Sequence, residues 1–473
     1  MTTPDSPLLQ RAADLRQQVG GDYHDKLMEA IFTDASRIAD ESVIRDSARA
    51  RLSFDQRLDR LLTHPIYGFA VMGLMLLAVF WITIAGSNIP SSLLSELLLV
   101  HVYGLLHAGA AALSAPAWLT GLLIDGVYLA TAWVVAVMLP PMAIFFPLFT
   151  LLEDFGYLPR VAFNLDRLFA KAGAHGKQSL SMMMGYGCNA AGVISTRIID
   201  SPRERLIAIL TNNFSICNGR WPTLILMGTI FIGASAPPAL ASAAAALSVV
   251  ATALLGIVFT LLVSAFLSRT WLKGEASVYS LELPPYRPPQ VLRTLYTSLI
   301  DRTLIVLSRA VLMAAPAGAV IWLISNVTIG DASIAAHLVN LLNPLGLLIG
   351  LNGVILLAYI VAIPANEIII PTILMLTLTL GRNIAGAQAG VMLELEDAEV
   401  YTVLTQVGGW TLLTAVNLML FSLLHNPCST TLLTIYGETK SLKWTAAAAL
   451  LPLALGFSVT FVTATAARLL GLV

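Results

Sequence analysis

Two cysteines lie where the sequence is otherwise apolar enough to cross a membrane. Cys188 is followed by Asn189 and Cys217 by Asn218, with a glycine adjacent to each pair. Thiolate sulfur and amide oxygen are both ligands for divalent transition metals. A site with two sulfurs and several oxygens can bind a metal and also release it, which transit requires. The pattern therefore indicates a transient metal site, and the alternative is that the cysteines are small buried hydrophobic residues.

A second apolar run is interrupted between Pro364 and Pro371, where Asn366 and Glu367 occur. An ionisable side chain at membrane depth is costly and is by default a functional candidate. Glu367 is therefore predicted to be a metal ligand or a proton-coupled group, and capping of a half-helix is the structural alternative. Cys428, in the run Asn-Pro-Cys-Ser-Thr-Thr, is a third sulfur candidate. The predicted metal residues are Cys188, Cys217, Asn189, Asn218, Glu367, Asn366 and Cys428.

Other polar and sulfur side chains invite a simpler interpretation. Arg220 also stands at a break, and we expect it to neutralise a carboxylate such as Glu153 or Asp154, or to hold backbone carbonyls, rather than to meet a cation. The methionine run 182–184 is more typical of packing than of soft-metal binding. Four histidines fall at loops or interfaces without ligand spacing: His64, His101, His107 and His175.

The composition is that of a membrane protein with many spans. The chain of 473 residues is 57% hydrophobic and 12% charged, with a mean hydropathy of +0.79. Soluble domains are about half apolar and about a quarter charged. The net charge of -1 argues against a nucleic-acid binder, which would carry a basic stripe, and three cysteines cannot form a complete disulfide framework. The N-terminal residues have no apolar core, so no cleavable signal peptide is expected.

The chain is predicted to have two parts. Residues 1–60 read as a helical arm, since Leu27, Ile31 and Ile38 recur at the spacing of an amphipathic helix. Arginines crowd the last part of this arm, which places it in the cytoplasm by the positive-inside rule. A solvated juxtamembrane helix and a docking surface for a partner both remain open. Residues 61–473 are predicted to form a transmembrane permease domain.

The transmembrane part is predicted to cross the bilayer in runs of about 20 residues. Residues 89–118 are expected to form a separate external helix at the interface, and Pro140 and Pro141 to kink the second span. Residues 179–199 are expected to enter and leave on the cytoplasmic side as a re-entrant hairpin, and transporters bind their substrates at such broken helices. The other spans are predicted at 66–85, 119–152, 206–232, 247–266, 303–326, 408–424 and 444–470.

The two interrupted regions resemble each other. Each places an asparagine in a turn of small residues between two apolar halves, as Gly-Cys-Asn in the first region (about 150–232) and Ala-Asn-Glu in the second (about 343–426). If Lys440 and Lys443 are cytoplasmic, the second region enters from the outside. We therefore predict an all-α polytopic membrane protein with two broken or re-entrant segments that form an inverted repeat.

Several segments resemble, in order and approximate spacing, the membrane domain of the FeoB ferrous iron transporters, including its two Gate segments. The resemblance covers about residues 54–473. It implies uptake of Fe2+, as substrate and not as a bound cofactor, across the cytoplasmic (inner) membrane by a multi-pass protein with a cytoplasmic N-terminus. The segments are LEDFGYLPRVAFNLDRL, GYGCNAAGVISTRIIDSPRERLIAIL, SICNGR, LELPPYRPP, IPANEIIIPTILML and HNPCSTTLLTIYGETKSLKW.

The sequence departs from the usual family member at its start. That member begins with a G-protein domain, whereas here no G-x-x-x-x-G-K-[ST] loop occurs, because Lys171 stands five residues before Gly176. Residues 22–52 resemble the end of the helical spacer that follows the G domain. The resemblance therefore implies a separately encoded small GTP-binding protein that acts in trans, with a FeoA-like small protein and a homo-oligomer as further partners. Ala191 also stands where the first Gate commonly has proline.

Other functions remain open at this stage. Broken segments of this kind also serve nucleoside carriers, so a Gate-type permease for another divalent metal or for a nucleoside-like solute is one alternative. A membrane receptor or scaffold that transports nothing is another. An intrinsic enzyme is not expected, because no nucleotide loop, Ser-His-Asp set or His-Glu-x-x-His motif can be placed in the sequence.

Overall fold

Nearly all of the described chain is helical. The computed structural model describes residues 23–42, 54–173, 176–274, 290–330, 332–381 and 397–471, together with Arg11 and Tyr286. Within these ranges, strand pairing is limited to one antiparallel ribbon of β1 (Thr328–Ile329) and β2 (Ala332–Ser333). The predicted all-α class is confirmed.

The described part of the N-terminal arm consists of two helices, α1 (Tyr23–Ser42) and α2 (Phe54–Leu62). The predicted amphipathic residues of α1 lie on its surface, where Ile31 and Ile38 are 53% and 51% exposed. Helix α2 contacts the helix that follows it. The apolar side of α1 is thus available, while α2 is joined to the rest of the protein.

The first membrane helix is much longer than the sequence predicts. Helix α3 runs over Tyr67–Ala112, 46 residues, with Pro90 and a π-helical turn at Glu96–Val102 inside it. The separate external helix expected at 89–118 is therefore wrong, because packing against the next helix keeps the chain helical through Pro90. At 1.5 Å per residue such a helix is about 69 Å long, against about 30 Å of hydrocarbon. The helix is therefore more than twice as long as the hydrocarbon layer is thick.

The second membrane helix also continues through its prolines. Helix α4 covers Ala117–Asp154, 38 residues, and contains a π-helical turn at Gly121–Tyr128. Pro140, Pro141 and Pro147 lie inside it without ending it. A proline removes one backbone hydrogen bond from a helix, and the surrounding helices are sufficient here to hold the two parts together.

A buried arginine fastens the arm to the membrane domain. Arg160, in α5 (Tyr157–Lys171), is 2% exposed, and its Nε donates to Oδ1 of Asp59 in α2 at 2.9 Å. The hydroxyl of Tyr286 donates to the same carboxylate at 2.6 Å, and its ring centroid lies 4.0 Å from the Arg160 guanidinium carbon. Burial opposes ionisation, but the hydrogen bonds from Arg160 and Tyr286 hold the pKa of Asp59 below its usual value.

The first broken region contains two interrupted helices. Helices α6 (Gln178–Gly187) and α7 (Asn189–Ser195) meet at Cys188, and a 3-10 turn (Thr196–Ile198) follows. The span expected at 206–232 is likewise divided at its polar stretch. Its parts and the two long helices after them are α8 (Pro202–Thr211), a 3-10 turn (Asn212–Phe214), α9 (Trp221–Gly233, π-helical over Gly228–Gly233), α10 (Ala241–Arg269) and α11 (Val291–Asn326, π-helical over Ser298–Leu304).

The second broken region repeats this arrangement after a sharp bend. Helix α12 (Ile334–Leu348) and helix α13 (Gly353–Val361) are bent by 111° relative to each other, with Gly350 at φ 70° between them. The sequence analysis did not predict this bend. The elements after it are a 3-10 turn (Asn366–Ile368), α14 (Ile369–Gly381), α15 (Asp397–Thr402), a π-helical turn (Val403–Val407), α16 (Leu412–Leu424), α17 (Ser429–Thr439) and α18 (Leu442–Leu469).

The hydrophobic helices define a polytopic membrane protein. Six described helical stretches are long and apolar enough to cross a bilayer, or seven if the bent pair α12 and α13 is one span. Large apolar side chains cover the outer surfaces of the long helices, as lipid contact requires, whereas the broken helices are buried between them. The predicted multi-span architecture with two interrupted regions is confirmed.

Candidate functional site

Four helix breaks meet inside the membrane domain. They lie at Cys188, at 215–220, at 362–365 and at 425–428, each between two half-helices. Helix α7 of the first region contacts α17 of the second, and α9 contacts α16, so the breaks of the two regions lie side by side. Because lipid cannot satisfy free backbone groups, such breaks must be buried in protein or line a cavity.

The two regions use the same backbone at their first break. Cys188 has φ −151° and ψ 122°, and Ala365 has φ −151° and ψ 121°. Each is followed by an asparagine that begins the next helical turn. The crossing chain is bonded beside each break, since Asn218 N donates to Gly187 O at 3.1 Å and Ser429 N donates to Ile363 O at 2.8 Å, but the second bond is shifted by one residue relative to the first.

All seven predicted metal residues line one cavity between these breaks. The cavity measures about 40 Å³, enough to hold a water molecule or a largely dehydrated metal ion. Its other walls include Met138 and Met142 of α4 and Thr431 of α17. The residues that the sequence singled out in separate places are Cys188, Asn189, Cys217, Asn218, Asn366, Glu367 and Cys428.

Glu367 enters the cavity from the second region. Its carboxylate lies so close to Gly219 that a Cβ at this glycine would overlap with it. The absence of a side chain at Gly219 therefore gives the carboxylate its room. Cys428 lies on the same wall, with its Sγ 3.2 Å from Oγ1 of Thr431. One carboxylate, three sulfurs and several amide and hydroxyl oxygens thus surround a space of ionic size.

A buried histidine that the sequence analysis did not select orients Asn366. Nδ1 of His425 lies 2.9 Å from Ser422 O and 3.2 Å from Phe421 O, and carbonyls only accept, so Nδ1 carries a hydrogen. Nε2 lies 3.2 Å from Oδ1 of Asn366, and Nδ2 of Asn366 donates to Sγ of Cys217 at 3.8 Å. The histidine and the cysteine thus hold the Asn366 amide between them.

Arg220 holds backbone carbonyls, one of the two roles expected of it. The side chain is fully buried, and it donates to Asn213 O at 2.8 Å, Asn213 Oδ1 at 2.8 Å and Leu423 O at 3.2 Å. Among the described residues it forms no ion pair with Glu153 or Asp154. The arginine therefore ties the break at 215–220 to the end of α16 and places a positive charge beside the cavity.

The remaining predictions concern residues away from the cavity. Met182, Met183 and Met184 are buried in the hydrophobic core, as the packing interpretation predicts. His107 pairs with Asp125, with 2.8 Å between Nε2 and Oδ1, a contact the sequence analysis did not predict. His175 lies outside the described residues.

The described residues hold no ready-made metal centre. No group of three or more histidine, cysteine, aspartate or glutamate side chains in these ranges is arranged to hold a metal ion. A cation in the cavity would therefore need amide or backbone oxygens in addition to sulfur and carboxylate. Such a mixed set binds more weakly than a closed thiolate cage.

An ionic cluster joins the two regions at one end. Glu438, in the last turn of α17, accepts from Arg197 at 2.6 Å and from Arg205 at 2.7 Å. Arg197 follows α7 and Arg205 lies in α8. The end of the second region is thereby joined to both interrupted helices of the first.

Two family models match the chain. The model described as Gate, nucleoside recognition, matches residues 135–231 and 307–442, which include all four breaks. The model described as ferrous iron transport protein B C terminus matches residues 249–301. No solved structure matches the chain significantly.

Several curated relatives are named Fe(2+) transporter FeoB. The protein of Staphylococcus aureus strain MSSA476 is 28% identical over 97% of this chain and 66% of its own length. The Synechocystis protein is 28% identical over 86% of this chain and 62% of its own length, and the Leptospira biflexa protein is 26% identical over 89% and 61%. The chain thus spans just under two thirds of the length of these relatives.

Proposed function

Because the chain belongs to the FeoB family of membrane proteins, we propose that it forms the pathway by which Fe2+ crosses the cytoplasmic membrane. The observation that supports this most strongly is the convergence of seven separately predicted polar and sulfur residues on one cavity of about 40 Å³. Fe2+ accepts sulfur, carboxylate and amide oxygen. Iron is the cargo of this site and not a resident cofactor.

The proposed ligands come from both broken regions. Cys188, Cys217 and Cys428 supply sulfur, and Glu367 supplies a carboxyl group. Asn189, Asn218 and Asn366 supply amide oxygens. The ligands of this mixed site come from different parts of the cavity wall. An ion can therefore pass from one ligand to the next.

We further propose how the chain sits and what it works with. The arginines near the start of the membrane domain favour a cytoplasmic N-terminus, with residues 1–60 as a cytoplasmic arm and 61–473 as the permease domain. The exposed apolar residues of α1 favour docking of a small GTP-binding protein in trans. A FeoA-like protein and a second copy of the chain are the further proposed partners. No enzymatic step is assigned to this chain itself.

The pathway proposal is tested by Fe2+ uptake into vesicles that contain the purified chain. Cys188→Ser, Cys217→Ser and Glu367→Gln should each lower flux by about tenfold or more, since each removes a proposed ligand. Met183→Leu, a buried packing position on the same helix as the first break, is the control and should retain flux. Unchanged Fe2+ flux in all three ligand variants would contradict the proposal, as would transport of nucleosides in preference to metals.

The partner proposal has a separate test. Tagged chain should co-purify with a GTP-binding protein, and Ile31→Glu together with Phe32→Glu should abolish this, because the charges would occupy the exposed apolar face of α1. Robust Fe2+ transport by the chain alone, without any dependence on nucleotide, would overturn it.

A further inference from the structure

A cluster of oxygen atoms without partners lies behind the first break. Among the described residues, no hydrogen bond satisfies Oγ of Ser181, Oδ1 of Asn212 or Oγ of Ser215, although these residues are 1%, 3% and 1% exposed. An unsatisfied buried polar atom costs about 1–3 kcal/mol. Three such atoms in one place are unusual in a native structure and call for an explanation.

Two glycines show that these oxygens are close together. A Cβ at Gly185 would lie 2.7 Å from Asn212 Oδ1 and 3.1 Å from Ser215 Oγ. A Cβ at Gly192 would lie 2.5 Å from the same Asn212 oxygen and 2.8 Å from the backbone oxygen of Ser181. Oδ1 of Asn212 and Oγ of Ser215 therefore lie together in the angle between α6 and α7, and the backbone oxygen of Ser181 lies beside Asn212.

The cluster shares a wall with the cavity through Asn189. The Asn189 amide is oriented so that its Nδ2 donates to Gly185 O at 2.9 Å and Ser215 O at 3.1 Å, and Asn212 Nδ2 donates to Asn189 O at 2.8 Å. Asn189 also lines the cavity. The cluster is thus a separate site on the other side of a residue proposed to contact the transported metal.

The second region carries no such cluster at the equivalent positions. Counting back from Ala365 and Cys428 as from Cys188 and Cys217, Ser181 corresponds to Ala358 and Asn212 to Leu423, and both apolar residues are fully buried. Ser215 corresponds to Asn426, which is also polar, and Asn212 starts a 3-10 turn whereas Leu423 lies within α16. The second region thus has apolar side chains at two of the three positions, and the unpaired oxygens of the first region are left for a ligand to satisfy.

The chemistry of the cluster selects the ligand. Its donors are hydroxyl, amide and backbone oxygens without a carboxylate, whereas Ca2+ and Mg2+ sites in proteins use carboxylates. Arg220, which donates to Oδ1 of the neighbouring Asn213, adds a positive charge nearby. Uncharged oxygens that replace a hydration shell suit a small monovalent cation. We propose that Ser181, Asn212 and Ser215 bind Na+ and thereby hold the break between α6 and α7 in shape.

The test compares the thermal stability of the full chain, purified in lipid nanodiscs, in equal concentrations of NaCl, KCl and choline chloride. Saturation of the site should raise the melting temperature by about 2–4 °C in NaCl over the other two salts, and the rise should follow the Na+ concentration with a single dissociation constant. Equal melting temperatures in all three salts would overturn the proposal and would indicate that the cluster holds water.

Variants separate a bound ion from a general salt effect. Ser215→Ala and Asn212→Leu should weaken Na+ binding by about tenfold, measured by displacement of radioactive sodium. Ser179→Ala is the matched control. Ser179 is buried on α6, the helix that carries Ser181, but its hydroxyl already donates to Gly176 O at 2.7 Å. Undiminished sodium binding in both site variants would refute the assignment. If the variants do not fold, the salt comparison on the unmodified chain still decides, and it does not depend on iron transport.

Discussion

The two broken regions have one backbone and different chemistry. At the first break of each region, Cys188 and Ala365 adopt the same φ, and ψ values of 122° and 121°, and each is followed by asparagine. The first region carries sulfur there and a polar cluster behind it, whereas the second carries alanine, a carboxylate at Glu367 and an apolar backing. The difference teaches that the repeated scaffold fixes where the cavity lies, while each half lines it with its own kind of side chain.

The largest expected effect concerns the residue that ties the halves together. Arg220 stands three residues after Cys217, and Thr431 stands three residues after Cys428. Arg220→Met should lower the free energy of unfolding by about 3 kcal/mol or more, because it leaves several buried carbonyls unpaired. Thermal unfolding in detergent measures this.

Thr431→Ala is the matched substitution in the second half. It should cost under about 1 kcal/mol, since among the described residues the Thr431 hydroxyl bonds only to the thiol of Cys428 at its own break and to nothing in the other half. If Arg220→Met and Thr431→Ala destabilised the protein equally, the two residues would stabilise their breaks to the same extent. The two halves would then not differ in the way proposed.

The second prediction makes the halves more alike. Ala365→Cys should place a fourth sulfur at the cavity in the same backbone setting as Cys188. We expect about tenfold tighter Cd2+ binding by titration calorimetry, together with slower Fe2+ flux, because an added thiolate retains the metal. Ala365→Ser is the control for side-chain volume. Tighter binding with unchanged flux would mean that release from this cavity does not limit transport.

A smaller effect is expected where the halves meet at the ionic cluster. Glu438→Gln should lower stability by about 1 kcal/mol, because two charge-assisted hydrogen bonds to Arg197 and Arg205 are weakened. Thermal unfolding in detergent provides the measurement. Asp200→Asn, which removes an exposed pair with Lys177, should change less. If Asp200→Asn lowered stability more than Glu438→Gln, the ionic cluster would be a surface contact without a role in joining the halves.

The smallest effect concerns the attachment of the first half to the arm. The pKa of Asp59 is lowered in the folded state, so its contribution to stability is present above its unfolded pKa and is lost as pH falls through the folded value. The pair with Arg160 should therefore lose its contribution progressively below about pH 4, the pKa of the unfolded carboxyl, and should contribute nothing only below the lowered folded pKa. Asp59→Asn should therefore remove under about 1 kcal/mol at neutral pH and flatten the acid limb of the unfolding curve. An unchanged acid limb, measured by circular dichroism against pH, would exclude this attachment.

The positions of the breaks could be predicted from residue types. Glycine, proline, asparagine and cysteine interrupt long apolar runs at Cys188 and at 364–371, and such interruptions have few solutions inside a membrane. Residues far apart in sequence could therefore be assigned to one path before any geometry was known. Their convergence on a single cavity is a property of the fold that no local pattern contains.

Other features depended on packing and escaped prediction. Pro90 reads as the end of a span, but contacts with α4 keep α3 helical beyond it. The 111° bend before α13 rests on Gly350 and on capping by Asn352, whose Oδ1 accepts from Ile355 N at 2.9 Å. A lone glycine and a lone asparagine in an apolar run are weak signals on their own. His425 was missed for the same reason, since an isolated histidine has no spacing to interpret.

The crossing of the four breaks has an electrostatic consequence. Each break sets the carboxyl end of one half-helix beside the amino end of the next, and these ends carry about half a negative and half a positive charge. The carboxyl ends at the four breaks belong to α6, α8, α13 and α16. They are followed, in the same order, by the amino ends of α7, α9, the turn Asn366–Ile368 and α17. Half-helix ends of both signs are therefore set beside each other at the breaks, so the backbone there presents neither a purely attractive nor a purely repulsive surface to a cation.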